Sequence, residues 1–216
     1  MFYFCYKVII MLWEYLQENY KPGEPIVASD IGLGMTENNR RRQFKYLYDC
    51  GKIRRAENGI YYIPKQGLLG DELPISPDRI AECKYISRKN RVFGFYSGAT
   101  FANILGITTQ NPFTREIVSN EIGNPIRKDI IAGRSFIVRK ARTEITKENA
   151  AILQLFELLK DINDYSEIDR EELSELLAAY IRKNKITKAE FDKYLPYYPE
   201  KIYKSIYETG VINAIA

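Results

Sequence analysis

The chain contains no histidine. That absence removes the commonest general base, the usual Ser-His and Cys-His nucleophile pairs, and most metal sites built on imidazole. Catalytic readings therefore begin with little support, and neither an enzyme nor a cofactor is expected. Cysteine is scarce as well: Cys5, Cys50 and Cys83 are widely spaced, odd in number and without a Cys-x-x-Cys pair. Neither a disulfide framework nor a structural metal is implied, and a reducing cytoplasm is the expected compartment. Long apolar runs are also missing. The segment Met1-Phe2-Tyr3-Phe4-Cys5-Tyr6 is interrupted by Lys7 and closed by Glu14, which is too short for a membrane span and lacks the basic start of a signal peptide. No membrane partner is expected. Internal repeats and low-complexity segments are absent, and 45% hydrophobic with 28% charged residues is the composition of a folded protein rather than a disordered one. At 216 residues the chain exceeds the usual single domain of roughly 100–150. Two domains, or one with a large appendage, are expected.

What is present is basic charge, unevenly placed. Residues 1–65 hold 10 Lys/Arg against 7 Asp/Glu, residues 66–145 hold 12 against 8, and residues 146–216 hold 10 against 13. Within residues 40–55 the excess sharpens to Arg40, Arg41, Arg42, Lys45, Lys52, Arg54 and Arg55 against Asp49 alone. Such a cluster is the footprint of a polyanion partner.

Apolar residues recur at Val8, Met11, Leu12, Tyr15 and Leu16, the spacing of a helix from Lys7 to Asn19 with one buried face. Lys21-Pro22-Gly23-Glu24-Pro25 ends it. After Ile26-Val27, Ser29 or Asp30 is positioned to cap a very brief helix that stops at Gly32-Leu33-Gly34. Thr36 caps the next helix, Glu37 to Cys50, with Phe44, Leu47 and Tyr48 on its inner face and Gly51 just past its end. The run Ile53 to Pro64 carries Asn58-Gly59, a strong hairpin signal. Helix, brief helix, third helix and hairpin is the order of a winged helix-turn-helix, a class in which the last helix enters the major groove of DNA. Residues 66–77 read as a linker. Asp78 caps a helix through Tyr85, and Ser97 to Leu105 forms another, ended by Gly106. Strand-like runs follow at Phe113–Ser119, near Ile126 and at Ser135–Arg139. Thr146 caps a helix from Ala150 to Ile162, and three more helices are expected near 169–183, 187–194 and 199–209. The expected fold is α+β: a winged helix-turn-helix over 1–65, a small α+β domain over 78–145 and a helical C-terminal region over 146–216.

Projected at about 100° per residue, the helix from Glu37 turns Asn38, Asn39, Arg42, Lys45, Tyr46 and Asp49 away from Phe44, Leu47 and Tyr48. Arg42, near the centre of that polar face, suits a bidentate contact with guanine, and Asn38 or Asn39 suits adenine. Arg40 and Arg41 lie towards the edges of the buried face and suit phosphates. Arg54 and Arg55 are adjacent in a strand and must point to opposite faces of the hairpin. The expected partner is double-stranded DNA. Tyr61 and Tyr62 read as packing residues, and Tyr194 to Pro199 as a corner between helices. Ser97-Gly98-Ala99 lacks the surroundings of a nucleophile elbow. A metal-dependent nuclease built on Glu116, Glu121 and Asp129 is an alternative, although no nuclease-like acid and lysine spacing accompanies these acids.

The stretch Phe95-Tyr96-Ser97-Gly98-Ala99-Thr100-Phe101-Ala102-Asn103-Ile104-Leu105-Gly106-Ile107-Thr108-Thr109-Gln110-Asn111-Pro112 resembles the central motif of the AbiEi-like antitoxins of type IV toxin-antitoxin (abortive infection) systems. Gly59-Ile60-Tyr61-Tyr62-Ile63-Pro64 resembles the end of that family's wing. The likeness spans roughly residues 5–160. Phe101 replaces a small residue of the family pattern and Asn111 a valine. The resemblance implies a repressor that binds inverted repeats of operator DNA in its own operon. It further implies an antitoxin that counteracts a nucleotidyltransferase-like toxin without a stable complex, with Ser97, Gly98, Asn103, Thr108, Thr109 and Gln110 as its motif residues. Read without that family, Leu105 to Gln110 is a helix C-cap followed by an ordered turn, and the alternative is a stand-alone winged-helix regulator that senses a ligand.

Overall fold

The computed structural model describes residues 2–215, and side chains from Met11 onward. The expectations placed on the side chains of Cys5 and Val8 lie outside the described residues. The protein is mixed α+β with a helical C-terminal region, and it divides into two compact units, Met1–Ile80 and Ala81–Ala216.

In the first unit, helix α1 (Phe2–Asn19) buries Leu12 and Leu16 completely, with Trp13 and Tyr15 against the same cluster. Proline at position 22 cannot continue a helix. Strand β1 (Ile26–Val27) is followed by a single 3-10 turn, Ala28–Asp30, where the sequence suggested a capped helix. Neither Ser29 nor Asp30 caps it, because Val27 holds the cap position and the Ser29 hydroxyl lies 3.4 Å from Asp30 Oδ1. Helix α2 (Glu37–Asp49) begins as expected: Thr36 Oγ1 accepts the Asn39 N–H at 3.3 Å. It ends before Gly51, whose φ of +71° lies in the left-handed region that favours glycine. Its inner face is Gln43, Phe44 and Leu47, while Tyr48 is 47% exposed. The buried face is therefore turned towards Gln43 and away from Tyr48, and the Phe44 ring meets Tyr61 of the hairpin at 4.9 Å. Burial of side chains the size of Leu12, Leu16, Phe44 and Leu47 is worth roughly 1.5–3 kcal/mol each.

Strands β2 (Arg54–Glu57) and β3 (Ile60–Tyr62) form the hairpin around Asn58-Gly59, with a register shift between Arg55 and Glu57. β3 also pairs with β1, giving the sheet order β1-β3-β2, all antiparallel. The segment read as a linker contains a second, two-stranded ribbon, β4 (Lys65–Gln66) with β5 (Glu72–Leu73). Helix α3 (Pro77–Tyr85) follows. The Arg79 N–H reaches the Ser76 hydroxyl at 3.3 Å, so the cap is Ser76 rather than Asp78. Proline, lacking an N–H and fixed in φ, fits the first helical position and leaves the residue before it to cap.

The second unit is built on a four-stranded sheet. A ribbon of β6 (Ser87–Arg88) and β7 (Arg91–Val92) leads into β8 (Gly94–Tyr96), helix α4 (Gly98–Leu105), β9 (Arg115–Ser119), β10 (Ile126–Ile131) and β11 (Arg134–Lys140). The order is β10-β11-β9-β8, antiparallel except for the β11–β9 pair. Helices α5 (Ala150–Leu159), α6 (Ile162–Tyr165), α7 (Arg170–Asn184), α8 (Lys188–Tyr194), α9 (Lys201–Glu208) and α10 (Val211–Ile215) complete it. β8 and α10 were not foreseen. Thr146 does not cap α5 through its side chain; its N–H donates to Asn149 Oδ1 at 2.7 Å.

One apolar cluster joins Phe95 and Val118 of the sheet, Phe101 of α4 and the inner faces of α5 to α10. At its centre the Phe156 ring meets Phe191 at 4.8 Å and Tyr198 at 5.1 Å, both edge-on. Tyr198 follows a 3-10 turn, Leu195–Tyr197, and bonds the Leu153 carbonyl at 3.0 Å, making the corner expected of these aromatics. Glu157 is buried in this layer with Arg142 at 3.1 Å and Lys160 at 2.7 Å, the pairing a buried carboxylate requires.

Candidate nucleic-acid interface

The outward stripe of α2 carries Asn38, Arg42, Lys45 and Asp49, all exposed. These positions are spaced four, three and four apart, which aligns them along one side of a helix. Among the described residues, Asn38, Arg42 and Lys45 have no hydrogen-bond or ion-pair partner for their side chains. Arg41 and Tyr46 flank the stripe, both exposed, and Arg41 is ion-paired with Glu37 one turn earlier. Asn39 and Arg40 are half-buried. Asn39 Oδ1 accepts from Gln43 Nε2 at 3.1 Å, and the Arg40 guanidinium donates to the Ile31 carbonyl at 3.3 Å. Arg40 thus ties α2 to the preceding loop.

In the hairpin, alternation separates the two arginines. Arg55 bends back over the turn, donating to Asn58 Oδ1 at 2.8 Å and to the Glu57 carbonyl at 3.2 Å. Arg54 grips Glu72 of β5 with two parallel bonds, 2.8 and 2.7 Å, and reaches the Gly51 carbonyl at 2.8 Å. It is engaged inside the protein by a residue from the segment read as a linker, and nothing in the local sequence signals that pairing. The Lys52 ammonium sits 5.0 Å from the centre of the Trp13 ring. Of the seven basic residues of 40–55, therefore, Arg42 and Lys45 have the side chains most available to a ligand.

The second group of candidate residues lies in the other unit and is engaged throughout. Ser97 is buried at the start of α4, its N–H donating to the Glu116 carbonyl at 2.9 Å. Gly98 has φ +56°, and a Cβ there would stand 2.7 Å from Glu116 Oε1. Asn103 Nδ2 donates to the Thr108 carbonyl at 3.2 Å across the C-cap made by Gly106, whose φ is +81°. Thr108 Oγ1 then accepts the Gln110 N–H at 3.1 Å. The Thr109 N–H and hydroxyl both donate to Glu167 Oε2, at 2.7 and 2.9 Å, and Gln110 Nε2 donates to Glu167 Oε1 at 2.7 Å. Those bonds, the Thr109 N–H foremost, hold the Glu167 carboxyl down to about 2. Thr108-Thr109-Gln110 is a carboxylate clasp that holds the segment between α6 and α7. Sequence reasoning did not find Glu167, which lies more than fifty positions away in a stretch without a recognisable motif.

The acids Glu116, Glu121 and Asp129 do not converge. Glu116 pairs in register with Ile137 and Asp129 with Phe136, which are successive residues of β11, so the two carboxylates leave opposite faces of the sheet. Each acid has its own cation: Arg139 at 3.6 Å from Glu116, Arg88 at 3.0 Å from Glu121, and Lys84 at 2.7 Å from Asp129. Burial pushes the Asp129 carboxyl up, but the bonds from Lys84 and Tyr85 outweigh it and hold it below its ordinary value. Burial and the 2.6 Å bond to Asp129 push the Tyr85 hydroxyl up to about 12. Among the described residues there is no group of three or more acids or cysteines arranged to hold a metal ion, and no helix long and apolar enough to cross a membrane. No protein-family model and no curated protein matches this chain.

Proposed function

We propose that the first unit is a winged helix-turn-helix that binds double-stranded DNA, and that the chain is a cytoplasmic transcriptional repressor. The observation that carries this reading is the unpartnered stripe Asn38, Arg42, Lys45 on the exposed side of α2. Free donors on a helix are what direct readout in the major groove needs. Support comes from the element order helix, strand, 3-10 turn, helix, hairpin and from the sheet order β1-β3-β2, in which the hairpin is the wing. On this reading Arg42 addresses guanine and Asn38 addresses adenine. Asn39 is the poorer reader, since Gln43 already occupies its acceptor. Lys45 and Arg41 approach phosphates, and Arg55 serves the wing.

The finer proposal, resting on the likeness of Phe95–Pro112 to AbiEi-like antitoxins, is that the protein represses its own operon at inverted repeats and counteracts a nucleotidyltransferase-like toxin without a stable complex. Two copies on one face of DNA then lie about 34–36 Å apart.

Selection from a random duplex pool, followed by fluorescence anisotropy, tests the DNA reading. The wild type enriches a defined sequence and an Arg42→Ala/Lys45→Ala variant does not. Equal affinity of the two proteins for the enriched duplex would sink the proposal. Co-expression with a neighbouring nucleotidyltransferase, scored by growth, tests the antitoxin half separately.

A further inference from the structure

We propose that the second unit contains a binding site for a free amphipathic organic anion, in the cleft between α4, α5 and α7. The inference is independent of whether the first unit binds DNA. The cleft measures about 670 Å³, inside the range of roughly 300–1,000 Å³ typical of small-molecule sites. Its apolar wall is drawn from Val92, Phe95, Phe101, Leu105, Leu176 and Tyr180, and continues onto Ile104, a residue 57% exposed. Alanines at 150, 151 and 179 leave the space open where larger side chains would close it.

The wall is ordered by contacts within the protein. The Tyr180 ring stands edge-on to Phe101 at 5.5 Å. Its hydroxyl is bonded to the Ala151 carbonyl at 3.1 Å and to Gln154 Oε1 at 3.0 Å, and Gln154 Nε2 donates to the Tyr96 carbonyl at 2.8 Å. These polar groups are satisfied by one another, so an apolar ligand body placed here strands none of them.

The rim has the opposite character. Lys147, just before α5, and Lys183, in the last turn of α7, both line the cleft and are exposed. Among the described residues neither ammonium makes a hydrogen bond or a salt bridge, and the exposed Glu148 carboxylate is the one acid that feels the charge of Lys147. Glu82, the one acid lining the cleft among the described residues, receives the Tyr96 hydroxyl at 3.3 Å. An apolar wall beneath two exposed ammonium groups matches a molecule with an aromatic or aliphatic body and a carboxylate, sulfonate or phosphate head.

The test uses the full chain and two probes of like body: 1-anilinonaphthalene-8-sulfonate, which is anionic, and N-phenyl-1-naphthylamine, which is neutral. The wild type is expected to bind the anionic probe saturably, one per chain. Lys147→Ala/Lys183→Ala is expected to weaken that probe about tenfold, the equivalent of about 1.4 kcal/mol, while changing the neutral one less than about twofold. Ala179→Trp, at an exposed helix position, is expected to weaken both by about tenfold or more. Circular dichroism and unchanged melting temperatures confirm that the variants fold. Absence of saturable binding, or binding equal in all three proteins, overturns the proposal. So does sedimentation of the wild type, but not of Ala179→Trp, with phosphatidylglycerol vesicles, since that assigns the cleft to a membrane lipid.

Discussion

Arg40 and Arg42 are two residues apart on one helix, and they are expected to fail in different ways when replaced by alanine. Arg42 is exposed and its side chain makes no hydrogen bond or ion pair within the protein, so Arg42→Ala is expected to change stability by less than about 0.5 kcal/mol. Its loss on DNA is that of one bidentate base contact, about 1–3 kcal/mol, or about 5- to 150-fold in affinity. Arg40 is half-buried, and its guanidinium donates at 3.3 Å to the carbonyl of Ile31, a residue with no exposed surface. A charged hydrogen bond contributes about 1.5–3 kcal/mol when well formed, and length with partial exposure brings this one to about 1 kcal/mol. Arg40→Ala is therefore expected to lower the urea midpoint measured by circular dichroism, and to leave the ratio of affinities for the selected and a scrambled duplex unchanged. Arg42→Ala should collapse that ratio at an unchanged midpoint. Should Arg42→Ala preserve the ratio, or destabilise as much as Arg40→Ala, the assignment of α2 as the reading helix is refuted.

Further outcomes follow from the second unit. A Cβ at Gly94 would lie 2.0 Å from the Tyr85 carbonyl oxygen and 2.7 Å from that of Val118. Both obstructions are backbone, so Gly94→Ala is expected to cost at least about 3 kcal/mol in chemical denaturation. Gly98→Ala meets only the end of the Glu116 side chain and is expected to cost about 1–2 kcal/mol, the strain of its left-handed backbone. A loss below about 1 kcal/mol for Gly94→Ala would contradict this account. The Glu167 carboxyl, held down to about 2 from an ordinary 4.5, contributes stability that is present above 4.5 and lost as pH falls towards 2. Glu167→Gln should flatten the fall of melting temperature across that window, and an unaltered acid limb would show that the clasp does not stabilise the fold. Ala132 has φ +44° in the turn between β10 and β11, and Ala132→Gly is expected to raise stability by about 0.5–1 kcal/mol, with a lower midpoint as the contrary result.

Local chemistry carried much of the fold into the sequence. Thr36 before α2, Gly51 after it, Asn58-Gly59 between β2 and β3, and Gly106 after α4 all act through backbone bonds within a few residues, and each is visible in a short window. Tyr48 was misplaced because helical projection knows only one helix, whereas Phe44 found its aromatic neighbour on β3. The β4–β5 ribbon was hidden for a related reason: its strands are two residues long, and Arg54 binds it through Glu72. In the candidate interface, composition located the basic cluster but could not say which cations are engaged inside the protein. That distinction rests on Glu37, Glu72 and the Ile31 carbonyl. Glu167 was out of reach for the same cause, a contact between segments with no shared pattern.

The position of β11 between β9 and β10 has a consequence for how the second unit is assembled in time. β10 and β11 meet across the two residues Ala132-Gly133, whereas Ile117 of β9 must wait for Val138, 21 residues further along. Hairpins close in about 1–10 μs, and pairing across longer loops carries a larger entropic cost. The β10–β11 hairpin is thus expected to form first and to dock as a finished piece alongside β9. Until it arrives, Ile117 and Val118 lack their neighbours on that side, and the later docking of the finished hairpin, rather than the closing of its turn, governs how long a nascent chain exposes them.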